Sequence, residues 1–288
     1  MRTDARLARA LGLAEALEAG AAALAGATPT PRLDAEVLLQ HASGATRARL
    51  LAHPEEMLPE PVRDAYAAMI ERRRRGEPVA YITGRREFWS LDLVVSPATL
   101  IPRPETELLV ERALARIPLA AVGWVADLGT GSGAVALALG AERAALSILA
   151  TDRSAAALAV ARANAARLGI TNVRFCVADW CDALAEGRFE AIVSNPPYVR
   201  TNDPHLEEGD LRFEPHGALV AGPDGLEALR AMAAGAHTRL VSGGWLLLEH
   251  GYDQGPAVRA LLETHGYRDV RTYSDLSGQE RVTEGRRQ

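Results

Sequence analysis

Lysine is missing from this chain; all 32 basic residues are arginines. That excludes a Walker-type phosphate-binding lysine, a Schiff-base lysine and a lysine general base. An Ala- and Arg-rich composition of this kind reflects codon bias rather than function. Cysteine is nearly as scarce. Cys176 and Cys181 are the only two, and their spacing fits neither a zinc site nor a redox pair, so both are expected as reduced thiols in or near a core. The seven histidines are scattered, without paired ligand spacing, so no metal is expected. No apolar run reaches the ~18 residues of a membrane span. Asp4, Glu15 and Glu18 fall where a signal peptide would need an apolar segment, so a cytoplasmic protein is expected. A basic excess is lacking too. With 32 basic against 37 acidic residues the formal charge is −5, which argues against a free-standing nucleic-acid binder.

What is present is apolar material for a sizeable core, 48% of the residues, in a length of 288 that suits a small domain joined to a medium one. The first 75 residues or so read as helices. Leu7, Leu11, Leu13 and Leu17 recur near helical spacing, as do Leu33, Val37 and Leu38 after the start signal Pro31-Arg32-Leu33-Asp34. Val62, Tyr66, Met69 and Ile70 mark another apolar face, on a helix closing with Arg72-Arg73-Arg74-Arg75 and Gly76. Arginines in a last turn followed by glycine complement the helix dipole; contact with a polyanion is the competing reading. Residues 1–80 carry 11 basic and 11 acidic side chains, which makes this part neutral.

From Tyr81 to about Pro104 the pattern changes. The β-forming run Phe88 to Val95 sits between Gly84 and the prolines Pro97, Pro102 and Pro104, and reads as a β-hairpin linker. A helix follows from Glu105. Beyond Gly123 strands and helices alternate: Val125-Ala126, Leu146 to Thr151, Val173 to Val177, Ala191 to Ser194 and Trp245 to Leu248 as strands, with helices over Val135 to Leu139, Ala155 to Leu168 and Leu226 to Ala236. Val270 to Val282 reads as a terminal antiparallel hairpin turning at Ser277-Gly278. Such alternation predicts an α/β fold, a parallel sheet with helices on both faces. The expected division is a helical domain over 1–78, a hairpin linker over 79–104 and the α/β domain over 105–288.

Two motifs carry chemistry. The first strand runs into Asp127-Leu128-Gly129-Thr130-Gly131-Ser132-Gly133, and Asp152 closes the next strand. Three glycines permit a tight strand-to-helix turn and let a ligand lie against bare backbone. The spacing is G-x-G-x-G, unlike the dinucleotide fingerprint, and an acid leads into the loop. Pyrophosphate would need the helix N-terminus free for an anion; the acid suits a cationic ligand instead. S-adenosyl-L-methionine carries an ammonium and a sulfonium. Asp127 is placed to orient its amino-acid end, Asp152 to accept from its ribose hydroxyls, and Trp180, after the third strand, to stack on its adenine.

The second motif, Ser194-Asn195-Pro196-Pro197-Tyr198, ends a strand at the sheet edge where α/β folds bind ligands. An amide or aniline-like nitrogen is a poor nucleophile because its lone pair is delocalised. It must be held by both N–H groups so that the lone pair faces the methyl donor. Asn195 offers a side-chain carbonyl, and Pro196 a backbone carbonyl without a competing donor. Pro197 stiffens the turn, and Tyr198 can pack on the flat face of the acceptor.

With these residues the chain resembles the release factor glutamine methyltransferases of the HemK/PrmC type over almost its whole length. The resemblance extends to Tyr81-Ile82-Thr83-Gly84, Glu87-Phe88-Trp89, Val199 after the acceptor motif, Asp275-Leu276-Ser277-Gly278 and, most discriminating, Ile101-Pro102-Arg103-Pro104-Glu105-Thr106-Glu107. It implies a Rossmann-like, seven-stranded methyltransferase sheet with a small all-α N-terminal domain that docks the substrate protein. It implies N5-methylation of the glutamine in the GGQ motif of class I peptide chain release factors, with S-adenosyl-L-methionine as cofactor. Cofactor contacts are implied for Gly129, Thr130, Gly131, Ser132, Gly133, Asp152, Trp180 and Asn195; substrate contacts for Asn195, Pro196, Pro197 and Tyr198; and the catalytic role for Asn195 and Pro196. A monomer acting on protein, without direct nucleic-acid or membrane contact, is expected.

Rival readings share parts of this pattern. A ribosomal-protein glutamine methyltransferase shares all the motifs. An adenine or guanine amino-group methyltransferase would share the acceptor motif but usually adds a basic cleft. A nicotinamide oxidoreductase would use the glycine loop but has no role for Asn195 to Tyr198, and the intact acceptor motif argues against a non-catalytic binding module.

Overall fold

A computed structural model describes residues 12–288, and the chain divides into two compact units. The first holds the N-terminal helices, up to Gly84, together with the short segment Glu208–Phe213. Its helices are α1 (Leu13–Leu24), α2 (Pro31–Ser43), α3 (Arg47–Ala52), α4 (Glu60–Arg74) and α5 (Val79–Thr83). Pro31 opens α2, where a missing N–H costs nothing, and Gly44 closes it in a left-handed conformation. The core joins Leu13, Leu17 and Leu24 to Leu38, Leu39, Tyr66 and Ile70. The reading of Leu7 and Leu11 lies outside the described residues. Leu33 does not belong to the inner face: it is 54% exposed, and Ala35, Leu38 and Leu39 face inward instead.

The arginine run at the end of α4 is matched by acids. Arg72 pairs with Glu77, while Arg74 and Arg75 share Glu71. Arg73 is buried; it reaches Asp34 at 2.7 Å, Asp210 at 2.9 Å and the Thr28 hydroxyl at 3.0 Å. Exposed pairs of the first kind contribute little, whereas breaking a buried ion pair leaves a stranded charge and is costly.

The second unit comprises the remaining residues, Arg85–Glu207 and Glu214–Gln288. Strands β1 (Arg85–Phe88) and β2 (Leu91–Val94) form the hairpin. Its turn places Trp89 and Ser90 at φ 51° and 57°, the left-handed pair that a two-residue hairpin demands. Phe88 and Leu93 are buried in the core of this unit, so the hairpin packs onto the sheet domain instead of bridging freely. Asn164, fully buried, clamps it there by accepting from the Val94 N–H at 2.7 Å and donating to the Val94 carbonyl at 2.9 Å.

Then follow α6 (Glu107–Arg116), β3 (Trp124–Leu128), α7 (Ala134–Glu142), β4 (Ser147–Asp152), α8 (Ala155–Leu168), β5 (Val173–Val177), β6 (Phe189–Ser194), α9 (Glu227–Ala236), β7 (Leu240–Glu249), α10 (Gly255–Thr264), β8 (Arg268–Ser274) and β9 (Glu280–Arg286). The seven-stranded sheet runs β5-β4-β3-β6-β7-β9-β8. The first five strands in that order are parallel, and β9 pairs antiparallel with both β7 and β8. Val125, Val193 and Leu247 enter one core cluster while Ala126, Ile192 and Leu246 enter the other, so both faces are covered by helices, as period-two side chains require. Strand order reverses between β3 and β6. Such a topological switch opens a crevice at the carboxyl ends of the two strands.

Candidate active site

Both sequence motifs arrive at that crevice. Leu128 and Ser194 stand opposite each other at the ends of β3 and β6, and the Ser194 hydroxyl donates to the Leu128 carbonyl at 2.6 Å. The glycine loop and the acceptor turn therefore start side by side.

The glycine loop is shaped largely by its own acids. Asp127 is 1% exposed, and its Oδ2 accepts from the Thr130 hydroxyl at 2.6 Å and from the Ala136 N–H at 3.1 Å. One oxygen thus ties the loop to the first turn of α7, while Asp127 still lines the cavity. Burial pushes its carboxyl up to about 7, against the pull of the Thr130 and Ala136 bonds; the negative charge of Asp152 adds to the rise. Asp152 accepts from the Gly131 N–H at 2.9 Å and from the Ser154 N–H at 2.9 Å, one bond on each oxygen. Gly131 adopts φ 56°, and among the described residues a Cβ built there would meet no atom within 4 Å, so its bare face is open.

Gly129, Thr130, Gly131, Ser132, Asp152, Trp180 and Asn195 all line one cavity. Trp180 is held at φ 38°, with its ring 3.6 Å from where a Gly129 side chain would begin. Such a conformation is strained for an aromatic residue and is tolerated where the surroundings over-determine it. Gly133 is not in the lining. It is the N-cap of α7 at φ 86°, packed beneath Leu137 and Ala161. Across the cavity stand Pro215, Gly217 and Ala218. Arg153 donates to the Gly217 carbonyl at 2.8 Å, and the buried Glu214 takes Arg103.

In the acceptor turn, Asn195 and Pro197 line the cavity; Pro196 is buried and, like Tyr198, lies outside the lining. The Asn195 Nδ2 donates to the Thr106 hydroxyl at 3.0 Å, which turns Oδ1 to the other side of the amide. The Tyr198 hydroxyl approaches Glu249 Oε1 at 3.4 Å, and its carbonyl accepts from Gln254 at 3.1 Å. Burial raises the Tyr198 phenol well above its ordinary value, and the Glu249 charge adds to this. Glu249 is 1% exposed, and burial lifts its carboxyl to about 7 against the pull of the Thr106 hydroxyl, the Arg281 charge and the Tyr198 hydroxyl.

The sequence reading missed Glu249 and the individual role of Thr106. An acid closing the apolar strand Trp245 to Leu248 at the ligand edge was the available signal for Glu249. Pro102 and Thr106 of the block from Ile101 to Glu107 line the cavity, and the block is tied to its surroundings: Arg103 pairs with Glu214, Thr106 receives Asn195, and Glu107 accepts from the Trp89 N–H at 2.9 Å. These residues can offer a carboxylate to a cation at Asp127, spare acceptor capacity at Asp152, an aromatic wall at Trp180 and a directed carbonyl at Asn195. That donor set fits S-adenosyl-L-methionine.

Comparison with known proteins agrees with this assembly. Residues 15–84 match the family described as PrmC N-terminal domain, and residues 104–208 match the methyltransferase small domain. The chain is 55% identical over 266 residues to a release factor glutamine methyltransferase of Xylella fastidiosa, covering 92% of this chain and 97% of that protein. It is 51% identical to the release factor glutamine methyltransferase of Escherichia coli, with 90% and 94% covered. Among solved structures, a T. Thermophilus 16S rRNA methyltransferase in complex with AdoMet and guanosine is similar in fold alone, with TM-score 0.53 and 20% identity over 71% of this chain and 50% of that one. Identity of this extent along nearly the full length, with both domain families in order, makes the chain a member of the release factor glutamine methyltransferase family.

Proposed function

We propose that the chain methylates the side-chain amide nitrogen of the GGQ glutamine in class I peptide chain release factors, with S-adenosyl-L-methionine as donor. The carrying observation is Asn195: Thr106 takes its N–H, so its carbonyl oxygen is the group offered at the β3–β6 crevice, beside the glycine loop. Asn195 Oδ1 and the Pro196 carbonyl accept the two N–H bonds of the acceptor amide, which turns its nitrogen lone pair toward the donor. When bound, the cofactor supplies a sulfonium methyl, an excellent electrophile that needs no help from an acid. The amide proton becomes acidic only as the new N–C bond forms and the S–CH3 bond breaks to leave a neutral thioether; the proton then passes to solvent, so no general base is required. Orientation and preorganised acceptors do the catalysis. On the cofactor side, Asp127 would hold the ammonium and Asp152 the ribose hydroxyls. The bare backbone from Gly129 to Gly131 would take the ligand, and Trp180 would wall the adenine.

The N-terminal helices are proposed as the docking unit for the release factor. This reading rests on the match of residues 15–84 and on the cavity lining, which among the described residues comes from the second unit.

Incubation with methyl-labelled cofactor and, separately, release factor, ribosomal protein and RNA tests the proposal. Label should enter the release factor, at glutamine. Label in ribosomal protein or RNA alone would replace this reading with the corresponding rival.

A further inference from the structure

Thr106 stands at the N-cap of α6, where a threonine hydroxyl ordinarily accepts a backbone N–H of the first turn. Here it makes no such bond. It is 4% exposed and accepts the Asn195 Nδ2 donor at 3.0 Å instead. The contact uses the N–H side of the amide, so Oδ1 is left on the opposite side, toward the crevice. A side chain without this anchor could turn over, and would then present its N–H donors, instead of its oxygen, to the acceptor amide.

We propose that Thr106 is a positioning residue that anchors the N–H side of the Asn195 amide so that its oxygen faces the acceptor nitrogen. The proposal rests on the reading that Asn195 holds the acceptor amide. It assigns a purpose to an N-cap side chain diverted from its helix. Thr106 lines the same cavity as Asn195, and its effect on the acceptor passes through that amide.

The test is a double-mutant cycle with release factor as acceptor and saturating cofactor. Thr106→Val keeps the shape but removes the hydroxyl. It should lower kcat on the order of 10- to 100-fold, the scale of losing a buried orienting contact, with S-adenosylhomocysteine affinity and the circular dichroism spectrum retained. Thr106→Ser restores the hydroxyl and should recover most of the rate. In an Asn195→Ala background the further change Thr106→Val should cost nothing more, because there is no amide left to orient. Near-normal kcat in Thr106→Val, or a loss of equal size with and without Asn195, overturns the proposal while leaving the role of Asn195 intact. Near-normal turnover in Asn195→Ala alone overturns the underlying reading, and this inference falls with it.

Discussion

The turn after β3 and the turn after β6 meet at one crevice but are supported differently. The glycine loop is held mostly by its own neighbours: Asp127 bonds Thr130 and Ala136 a few residues on, and Asp152 at the end of the adjacent strand takes the Gly131 N–H. The acceptor turn is held by residues remote in sequence. Thr106 lies 89 positions before Asn195, Glu249 lies 51 after Tyr198, and Gln254 lies 56 after it. A loop that supplies its own scaffold can be read as a motif. A turn whose scaffold comes from distant elements shows in sequence only the residues that meet the substrate. The difference also separates two tasks: one turn binds a ligand against backbone, while the other must hold a single amide in a single orientation.

Perturbing the glycine loop should affect cofactor binding far more than turnover at saturation, and the largest effect is expected at Gly131. Gly131→Val places a β-branched residue at φ 56° with its side chain in the open cavity. S-adenosylhomocysteine affinity should fall on the order of 100-fold or more by calorimetry, since left-handed backbone and β-branching oppose each other and the side chain fills ligand space. The fold should survive, because no protein atom is displaced. Unchanged affinity would remove the loop from the cofactor site, and tighter binding of NAD than of this product would revive the oxidoreductase reading.

A smaller loss is expected at Asp152. Asp152→Ala removes a charged acceptor and should weaken binding by about 1–3 kcal/mol. Part of that loss belongs to the loop, whose Gly131 N–H it also holds. An analogue lacking both ribose hydroxyls separates the parts. The wild type should discriminate against it, and the alanine variant should bind it and the natural ligand alike. Continued discrimination by the variant would place the ribose elsewhere.

The smallest effect is a pH dependence. The Asp127 carboxyl, raised to about 7 by burial, is neutral below that pH and anionic above it. Only the anion attracts the ligand ammonium, so affinity should rise about 10-fold from pH 6 to pH 8 and then level off, with about half a proton released on binding at pH 7. Asp127→Asn should bind more weakly and lose the pH dependence. A wild-type affinity that is flat over this range, or falls, would assign the ammonium to another partner.

Local pattern carried much of the α/β unit into view. Ala155 to Leu168 and Val173 to Val177 coincide with α8 and β5, since a serine cap, a closing glycine and unbroken β formers mark their ends. The strand at Trp245 to Leu248 is longer in the structure, from Leu240 to Glu249, because two glycines within it hide its extended start. Helix α10 had no reading at all; its glycine-proline opening resembles a turn. In the helical unit, alanine blurs the apolar faces, so Leu33 read as inward although it is exposed. The Arg73 hub with Asp34 and Asp210 was hidden for the same reason as the acceptor scaffold: its partners are 39 and 137 positions away.

The account stands most directly on Asn195, and kcat of the alanine variant with release factor at saturating cofactor is its sharpest test. Removing one preorganised acceptor should lower the rate on the order of 10²–10³-fold. Asn195→Asp keeps an acceptor oxygen but loses the N–H toward Thr106, and should fall between the alanine variant and the wild type. Near-normal turnover by Asn195→Ala would contradict the claim that this amide holds the acceptor nitrogen for methyl transfer.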